Sequence, residues 1–437
     1  MVDARSAAAQ RSVLLKAIAR LFSVQVAGLA CGFLVHLGLA RFLGVAEYGV
    51  YNFIFSIAML VALIGNFGFQ ASSVRLIPQF QAEGLEKYIT SFFKFSSLWV
   101  FVFSALFGAL AFYCVSVFEL NEAYTRSVLL SGVALTVLLA LIKLNSGVLK
   151  GFKLGGWALA YESSLKEIIF LGLLGGFVVF GSLVLTAEIS LWAVVTILTV
   201  LFLVSFTHIF KVMRPWKGCE DTKLIPYKDW LSISLPMMLV ISAQIVIHRS
   251  DIVVLGFLSD VADVGAYSAG AKVAQAATLG MMVLNIIFSP RASEAFYQKD
   301  TARLKMLYFT TLKWQALSAV LLGAAIVFLA PFVLAFLGQG YGGALPVIYV
   351  LVGGYILNSL WGPVPFLMIM TRFEFQAMWF TFMAAALNIV LNLVLIPHYG
   401  ILGAGIATVI ALNLRNGFAL FFIVKRGIFN EDLKQHG

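Results

Sequence analysis

Five basic side chains fall inside long apolar runs of this 437-residue sequence: Lys143, Lys166, Arg249, Lys272 and Arg415. The acidic residues in or beside those runs are fewer: Glu162, Glu167 and Asp251. A charge left facing lipid at mid-bilayer costs about 2.5–3.5 kcal/mol or more, so such residues turn toward protein or a polar cavity. Lysine and arginine suit phosphate and carboxylate partners, arginine through its planar fork. The balance is cationic and implies an anionic cargo. A site for drug cations would invert it.

Position separates these residues. Lys143 lies one to two turns from a predicted span end, where its stem could snorkel. Lys166 stands four residues after Glu162, a spacing that allows an interfacial ion pair; a repeat match to Asn388 instead places it well inside its span. Arg415 precedes Lys425 by ten residues, about 15 Å of helix, too deep for easy snorkelling. His248-Arg249-Ser250-Asp251 is expected to interrupt the seventh span, with Arg249 and Asp251 able to neutralise each other. Lys272 follows a Gly-x-Tyr turn, at an upper cavity or an interface. His36 is either a packing residue or a proton carrier, and its repeat match to Asp251 raises the second reading.

Other chemistries lack their residues. No GxxxxGK[S/T], GxSxG or HExxH pattern occurs, so ATP hydrolysis, α/β-hydrolase chemistry and zinc proteolysis have no motif and no catalytic residue is assigned. Cys31, Cys114 and Cys219 lie far apart, without metal-ligand or CxxC spacing, so neither a disulfide framework nor a metal site is expected.

The elements that must carry these residues follow from composition. Hydrophobic residues make up 61% and charged residues 11%, and the mean hydropathy is +0.98. Soluble domains carry roughly a quarter charged residues. The sequence predicts an all-α polytopic membrane protein, because only helices and closed barrels satisfy their backbones in lipid and no barrel-type alternation appears. Apolar stretches near 21–40, 50–69, 95–117, 128–148, 157–180, 189–210, 231–257, 265–288, 314–336, 345–370, 376–396 and 401–424 give about 12 transmembrane helices. The first run resembles a lipoprotein signal up to Cys31, but it is longer than a cleaved h-region of ~7–15 residues and reads as a retained helix.

Basic residues cluster in alternate connections: Arg5, Arg11, Lys16 and Arg20; Arg75, Lys87 and Lys94; Lys150 and Lys153; Lys211 to Lys228; Arg291 to Lys313; and the tail from Lys425. The intervening loops hold Arg41 and Arg126 against six acidic residues. Positive-inside topology therefore predicts both termini in the cytoplasm. It also accounts for the +10 net charge, with anionic membrane lipids as partners and no nucleic acid.

The polar segment 211–230 reads as a cytoplasmic linker between two six-helix bundles, 1–210 and 231–437. A repeat supports that division: Val45-Ala46-Glu47-Tyr48-Gly49-Val50-Tyr51 aligns with Val261-Ala262-Asp263-Val264-Gly265-Ala266-Tyr267. Arg75 then meets Arg291, and Lys87 meets Arg303. An even helix number per copy predicts a pseudo-two-fold axis along the membrane normal, the plan of an alternating-access transporter. Lys166 and Arg415, one from each bundle, are expected to face one anion.

Leu39-Ala40-Arg41-Phe42-Leu43-Gly44 with Glu47-Tyr48-Gly49 resembles the first-loop signature of polysaccharide-type flippases, in the superfamily of multidrug, oligosaccharidyl-lipid and polysaccharide exporters. Lys150-Gly151-Phe152, Val264-Gly265-Ala266-Tyr267, and the late group Asn388, Asn392, Pro397, Gly400 and Gly403-Ala404-Gly405 fit the same family. Arg41, Gly44, Gly49, Gly265, Asn388, Asn392, Pro397 and Gly400 are expected to shape the fold. The resemblance implies an O-antigen, lipopolysaccharide or exopolysaccharide flippase in the bacterial inner membrane, with no enzymatic activity and no cofactor. Its cargo would be an oligosaccharide on polyprenyl (undecaprenyl) diphosphate, moved from the cytoplasmic to the periplasmic leaflet. An H+ or Na+ gradient or the membrane potential would drive it, and polysaccharide polymerase machinery would be a further partner. Two alternatives stay open: an ion-coupled multidrug-type small-molecule exporter of the same fold, and a membrane-embedded polysaccharide polymerase, which the short outside loops disfavour.

Overall fold

The computed structural model describes residues 2–85, 87–118, 122–180, 185–214 and 227–428, without the side chains of 2–26, 29, 87, 178–180 and 240–241. The expected linker at 211–230 therefore lies outside the described residues from 215 to 226. The side chains of Arg5, Arg11, Lys16 and Arg20 lie outside them too.

Every regular element among the described residues is helical. The chain runs through α1 (Val2–Asn66), α2 (Phe69–Ala82), α3 (Lys87–Val117), α4 (Arg126–Gly151) and α5 (Gly155–Leu159). A π-turn, Ala160–Ser164, leads into α6 (Leu165–Phe180) and α7 (Ala187–Val212). Then follow α8 (Tyr227–Leu258), α9 (Val261–Gln275), α10 (Leu279–Tyr297), α11 (Thr301–Leu337), α12 (Ala344–Ser359), α13 (Val364–Met370) and α14 (Glu374–Lys425).

Among the described residues, seven helices are long and apolar enough to cross a membrane, or up to nine if each of two bent pairs is one span. On α11, Phe328, Phe332 and Phe336 project outward at four-residue spacing with exposures of 71%, 64% and 63%. An apolar stripe that bare has lipid, not water, for its solvent. The protein is an all-α, multi-pass membrane protein.

Two of the apolar helices are far longer than a span, 53 residues at Ala30–Ala82 and 52 at Glu374–Lys425. Each is broken by a glycine: Gly44 at φ 74, ψ 171 within α1, and Gly400 at φ 55, ψ −135 within α14. A Cβ disfavours both backbones, so these motif glycines are the points where the chain can turn. Pro397 stands one turn before the second break.

The polar segment His248–Asp251 lies in the second half of α8. α8 is continuous there and bends instead by 49° between Tyr227–Leu239 and Ser242–Leu258. Pro236 lies one turn upstream and removes a backbone donor, which is the usual cause of such a bend.

The chain divides into two compact units, one of residues 1–42 and 57–239, the other of 43–56 and 240–437. In the first, α4 packs against α2, α3 and α7. Phe92, Phe95 and Trp230 meet edge to face or tilted in its core, and Ser234 on α8 donates to Ser72 on α2 at 2.7 Å. In the second, α12 packs against α9, α11 and α14. Its apolar core holds Phe288, Leu304, Tyr308, Leu367, Met368 and Ile423.

Candidate functional site

The second unit buries a polar network where a membrane helix bundle would ordinarily be apolar. Asp251 on α8 is 4% exposed. Its carboxylate accepts from the Tyr267 hydroxyl on α9, from Thr408 Oγ1 on α14 at 3.2 Å, and from the backbone N–H of Ile252 at 3.1 Å. Beside it, Ser250 donates to Asn388 Oδ1 at 2.6 Å, and Asn392 Nδ2 donates to the same oxygen at 3.1 Å. Asn388 Nδ2 reaches Thr408 at 3.4 Å. Asn388 and Asn392 are fully buried, and Asn392 Oδ1 has no hydrogen-bond partner.

Helical spacing builds this arrangement. Asn388 and Asn392 are four residues apart, so both fall on one face of α14. Thr408 lies beyond the Gly400 break, and the turn there brings the second half of α14 back past the first. A single carboxylate among hydroxyl and amide oxygens can take up a proton, or ligate a small hard cation through oxygen alone. Among the described residues no group of three or more His, Cys, Asp or Glu forms a metal cluster.

Next to the carboxylate on α8 lies a basic group. Arg249 and Arg415 both act electrostatically on His248, so three nitrogen-rich side chains share one region of the second unit. Arg249 does not pair directly with Asp251. Its guanidinium makes a long 3.5 Å contact to Ser56 Oγ and lies over the Phe55 ring at 6.0 Å, with Asp251 in electrostatic range. The expected mutual neutralisation is thus only partial, because Tyr267 and Thr408 already occupy the carboxylate. On α14, Arg415 Nε donates to Asn416 Oδ1 at 3.0 Å, and Asn416 Nδ2 donates to Asn358 Oδ1 at 2.6 Å. Lys272 is half-buried in the last turn of α9.

The first unit carries its own charge cluster. Glu162 sits on the π-turn, where a helix gains one residue and its side chains re-aim. It accepts from Lys150 Nζ at 2.8 Å, Ser146 Oγ at 2.5 Å and Gln70 Nε2 at 3.1 Å, with Lys143 adding a more distant positive charge. Lys166 therefore does not take Glu162 as its i,i+4 partner. It pairs with Glu167 at 2.9 Å, both side chains being mostly buried. His36 is half-buried on α1.

Sequence reading therefore placed Asp251, Arg249 and Arg415 in one unit without finding what surrounds them. Tyr267, Asn388 and Asn392 were legible only as motif residues, and Thr408 and Ser250 carried no signal. The Glu162 hub was missed because the π-turn shifts it off the face that a regular helix would give it.

The model of a family described as polysaccharide biosynthesis protein matches residues 14–296. No curated protein matches the chain in sequence. Among solved structures, an inward-facing multidrug resistance MATE family transporter of the MOP superfamily superposes with a TM-score of 0.73 at 13% identity, covering 95% of this chain and 96% of that one. The lipid II flippase MurJ in an inward closed conformation gives 0.68 at 14% identity, covering 94% and 88%. A MOP superfamily transporter from Pyrococcus furiosus, described as having a binding pocket of reverse polarity, gives 0.51 at 16% identity, covering 94% and 95%.

Proposed function

Because the chain belongs to the polysaccharide biosynthesis protein family and has the fold of MOP-superfamily transporters, we propose that it moves a polyprenyl diphosphate-linked oligosaccharide across a bacterial inner membrane. The observation that carries this reading is the pair of cations Arg249 and Arg415 within the second unit, which can neutralise a diphosphate. Arg415 is held by Asn416, so its fork is pre-aimed. Asp251 and its ring of donors are the coupling site, exchanging a proton or a sodium ion. Lys143, Lys166 and Lys272 add positive charge along the cargo's path.

The proposed architecture has about twelve spans, with cytoplasmic termini, in bundles 1–210 and 231–437 joined by the linker 211–230. Halving the two long helices at Gly44 and Gly400 and adding Gly155–Phe180 raises nine candidate spans to that number. The cargo would enter from the cytoplasmic leaflet, leave to the periplasmic one, and pass to polymerase machinery.

A second reading is an ion-coupled small-molecule exporter. The multidrug transporter matches this fold at a higher TM-score than the lipid II flippase does, which favours it. The two readings separate in proteoliposomes. The flippase reading expects leaflet transfer of a fluorescent polyprenyl diphosphate oligosaccharide and no efflux of a cationic dye. Dye efflux without lipid transfer would establish the exporter.

A further inference from the structure

Within the first unit, Glu162 is held where a bound anion would be. An ammonium from Lys150 at 2.8 Å, a hydroxyl from Ser146 at 2.5 Å and an amide N–H from Gln70 at 3.1 Å converge on its two carboxylate oxygens. Lys143 acts on the same carboxylate electrostatically. Such a donor set accepts a phosphate oxygen as readily as a carboxylate oxygen. The donors stand on α2 and α4, which pack against each other, so the seat keeps its shape without Glu162. Ser146 and Lys150 are four residues apart and share one face of α4, near the end that the positive-inside pattern assigns to the cytoplasm. Lys150 and Glu162 keep side-chain exposures of 30% and 23%, so the seat is open at one edge.

The element that delivers Glu162 is the irregular one. The π-turn Ala160–Ser164 holds one residue more than an α-turn does. That excess can move along a helix, because each hydrogen bond given up behind it is remade ahead. In a regular helix residues four apart share a face, adjacent residues do not, and Glu four residues before Lys is the favoured order. Here the pairing is the reverse: Glu162 reaches across to Lys150, while Lys166 pairs with its neighbour Glu167 at 2.9 Å. Moving the extra residue past Lys166 makes 162–166 regular and brings Glu162 to Lys166. The carboxylate therefore has two alternative cations, one in each register of the helix.

We propose that Gln70, Ser146 and Lys150 form a diphosphate seat that Glu162 fills in this state, and that the π-turn hands Glu162 over to Lys166 when the diphosphate arrives. Carboxylate and ligand exclude one another there. The ligand shifts the equilibrium because it binds only the vacated seat. The seat itself requires nothing but the anion; that the anion belongs to the lipid-linked cargo rests on the flippase reading.

The test measures binding of inorganic pyrophosphate to the full-length protein in phosphatidylcholine nanodiscs, whose lipid carries no net charge. Glu162→Gln removes the resident carboxylate and should tighten binding about tenfold, the worth of one charge-assisted contact. Adding Lys150→Met should reverse that gain. Lys166→Met together with Glu167→Gln leaves the net charge unchanged and strands no carboxylate, yet takes away Glu162's second partner. It should weaken binding about tenfold in the wild type and have no effect in the Glu162→Gln background, a dependence that a purely structural ion pair would not produce. Unchanged affinity in Glu162→Gln, or the same effect of the Lys166 and Glu167 changes in both backgrounds, overturns the proposal. Replacing part of the phosphatidylcholine by phosphatidylglycerol should leave pyrophosphate bound; its loss would give the seat to bulk headgroups and overturn the proposal as well. Transfer of the lipid-linked oligosaccharide by the wild type, measured in vesicles, separates this failure from that of the flippase reading. If transfer proceeds while pyrophosphate affinity ignores Glu162, the seat is lost and the flippase reading stands. If pyrophosphate binds in the pattern described and transfer is absent, the seat stands and the flippase reading falls.

Discussion

Gly49 and Gly265 pack backbone to backbone as a reciprocal pair: a Cβ on Gly49 would strike the carbonyl oxygen of Val261, and one on Gly265 the carbonyl oxygen of Val45. Each added carbon would also stand 3.0 Å from the other glycine's backbone nitrogen. Residues 45 and 261, like 49 and 265, are matched positions of the sequence repeat, so the contact is self-complementary about a local two-fold. Gly49→Ala and Gly265→Ala should each destabilise the protein by about 1–3 kcal/mol through overpacking. Thermal unfolding in detergent measures this, and a midpoint unchanged in either variant would mean that the close approach is not maintained in solution.

Gly44 differs from that pair because it has open space around it and a left-handed φ. Gly44→Ala therefore meets no neighbour and should cost only about 1–2 kcal/mol of backbone strain. Gly44→Asn should lose as much, because ψ 171 lies outside the left-handed helical region that asparagine tolerates. The two variants compared by unfolding midpoint distinguish strain at the break from packing beside it.

Asp251 accepts a hydrogen bond from Tyr267, so Tyr267→Phe leaves a buried carboxylate one donor short. The expected cost is about 1–3 kcal/mol. Asp251→Asn keeps the shape and removes the charge. It should abolish the dependence of transport on an imposed proton or sodium gradient while the protein still folds and inserts. His36→Ala serves as the comparison, because His36 is matched to Asp251 in the repeat. If both variants keep wild-type rate and gradient dependence, coupling resides elsewhere.

Glu162 gathers donors from α2 and α4, and removing one partner is predicted to hurt more than removing both. Lys150→Met alone strands a partly buried carboxylate, whereas Lys150→Met with Glu162→Leu replaces the pair by hydrocarbon. The double variant should be at least as stable as the single one, with the coupling energy read from a double-mutant cycle. Lys150 and Glu162 retain side-chain exposures of 30% and 23%, so solvent screening keeps that energy near the ~1 kcal/mol range of surface pairs.

Topology has its own check. In a variant lacking Cys31, Cys114 and Cys219, a cysteine at Glu122, exposed in the connection between α3 and α4, should react with an impermeant reagent added to intact cells, and one at Gly218 should not. Labelling of Gly218 from outside would reverse the orientation.

The helices were legible because lipid leaves so few options. Uniform apolar runs marked both ends of α4 and α7 and the C-terminal ends of α3 and α11 to within a few residues. The breaks at Gly44 and Gly400 fell in the gaps expected between 21–40 and 50–69 and between 376–396 and 401–424. The polar extensions of α10 and α11, to Tyr297 and from Thr301, escaped a hydropathy window because their charged faces look outward. The bend in α8 was not expected, since 231–257 reads as a single span. The network around Asp251 was half legible. Its charge and its asparagines stand out in an apolar run, but Ser250 and Thr408 look like ordinary helix residues until the turn at Gly400 brings them together.

The central claim is an anionic cargo held by the arginines of the second unit, and leaflet transfer by single-charge variants tests it most directly. In reconstituted vesicles, Arg249→Gln and Arg415→Gln should each reduce transfer of a polyprenyl diphosphate oligosaccharide by roughly ten- to a hundredfold, the loss of ~1.5–3 kcal/mol per charged contact. Lys166→Gln should reduce it more than the charge-retaining Lys166→Arg. Expression and unfolding midpoint should stay near wild type for the two arginine variants and for Lys166→Arg, whereas Lys166→Gln leaves Glu167 without its cation and should lower the midpoint. Transfer at the wild-type rate by both Arg249→Gln and Arg415→Gln would contradict the account.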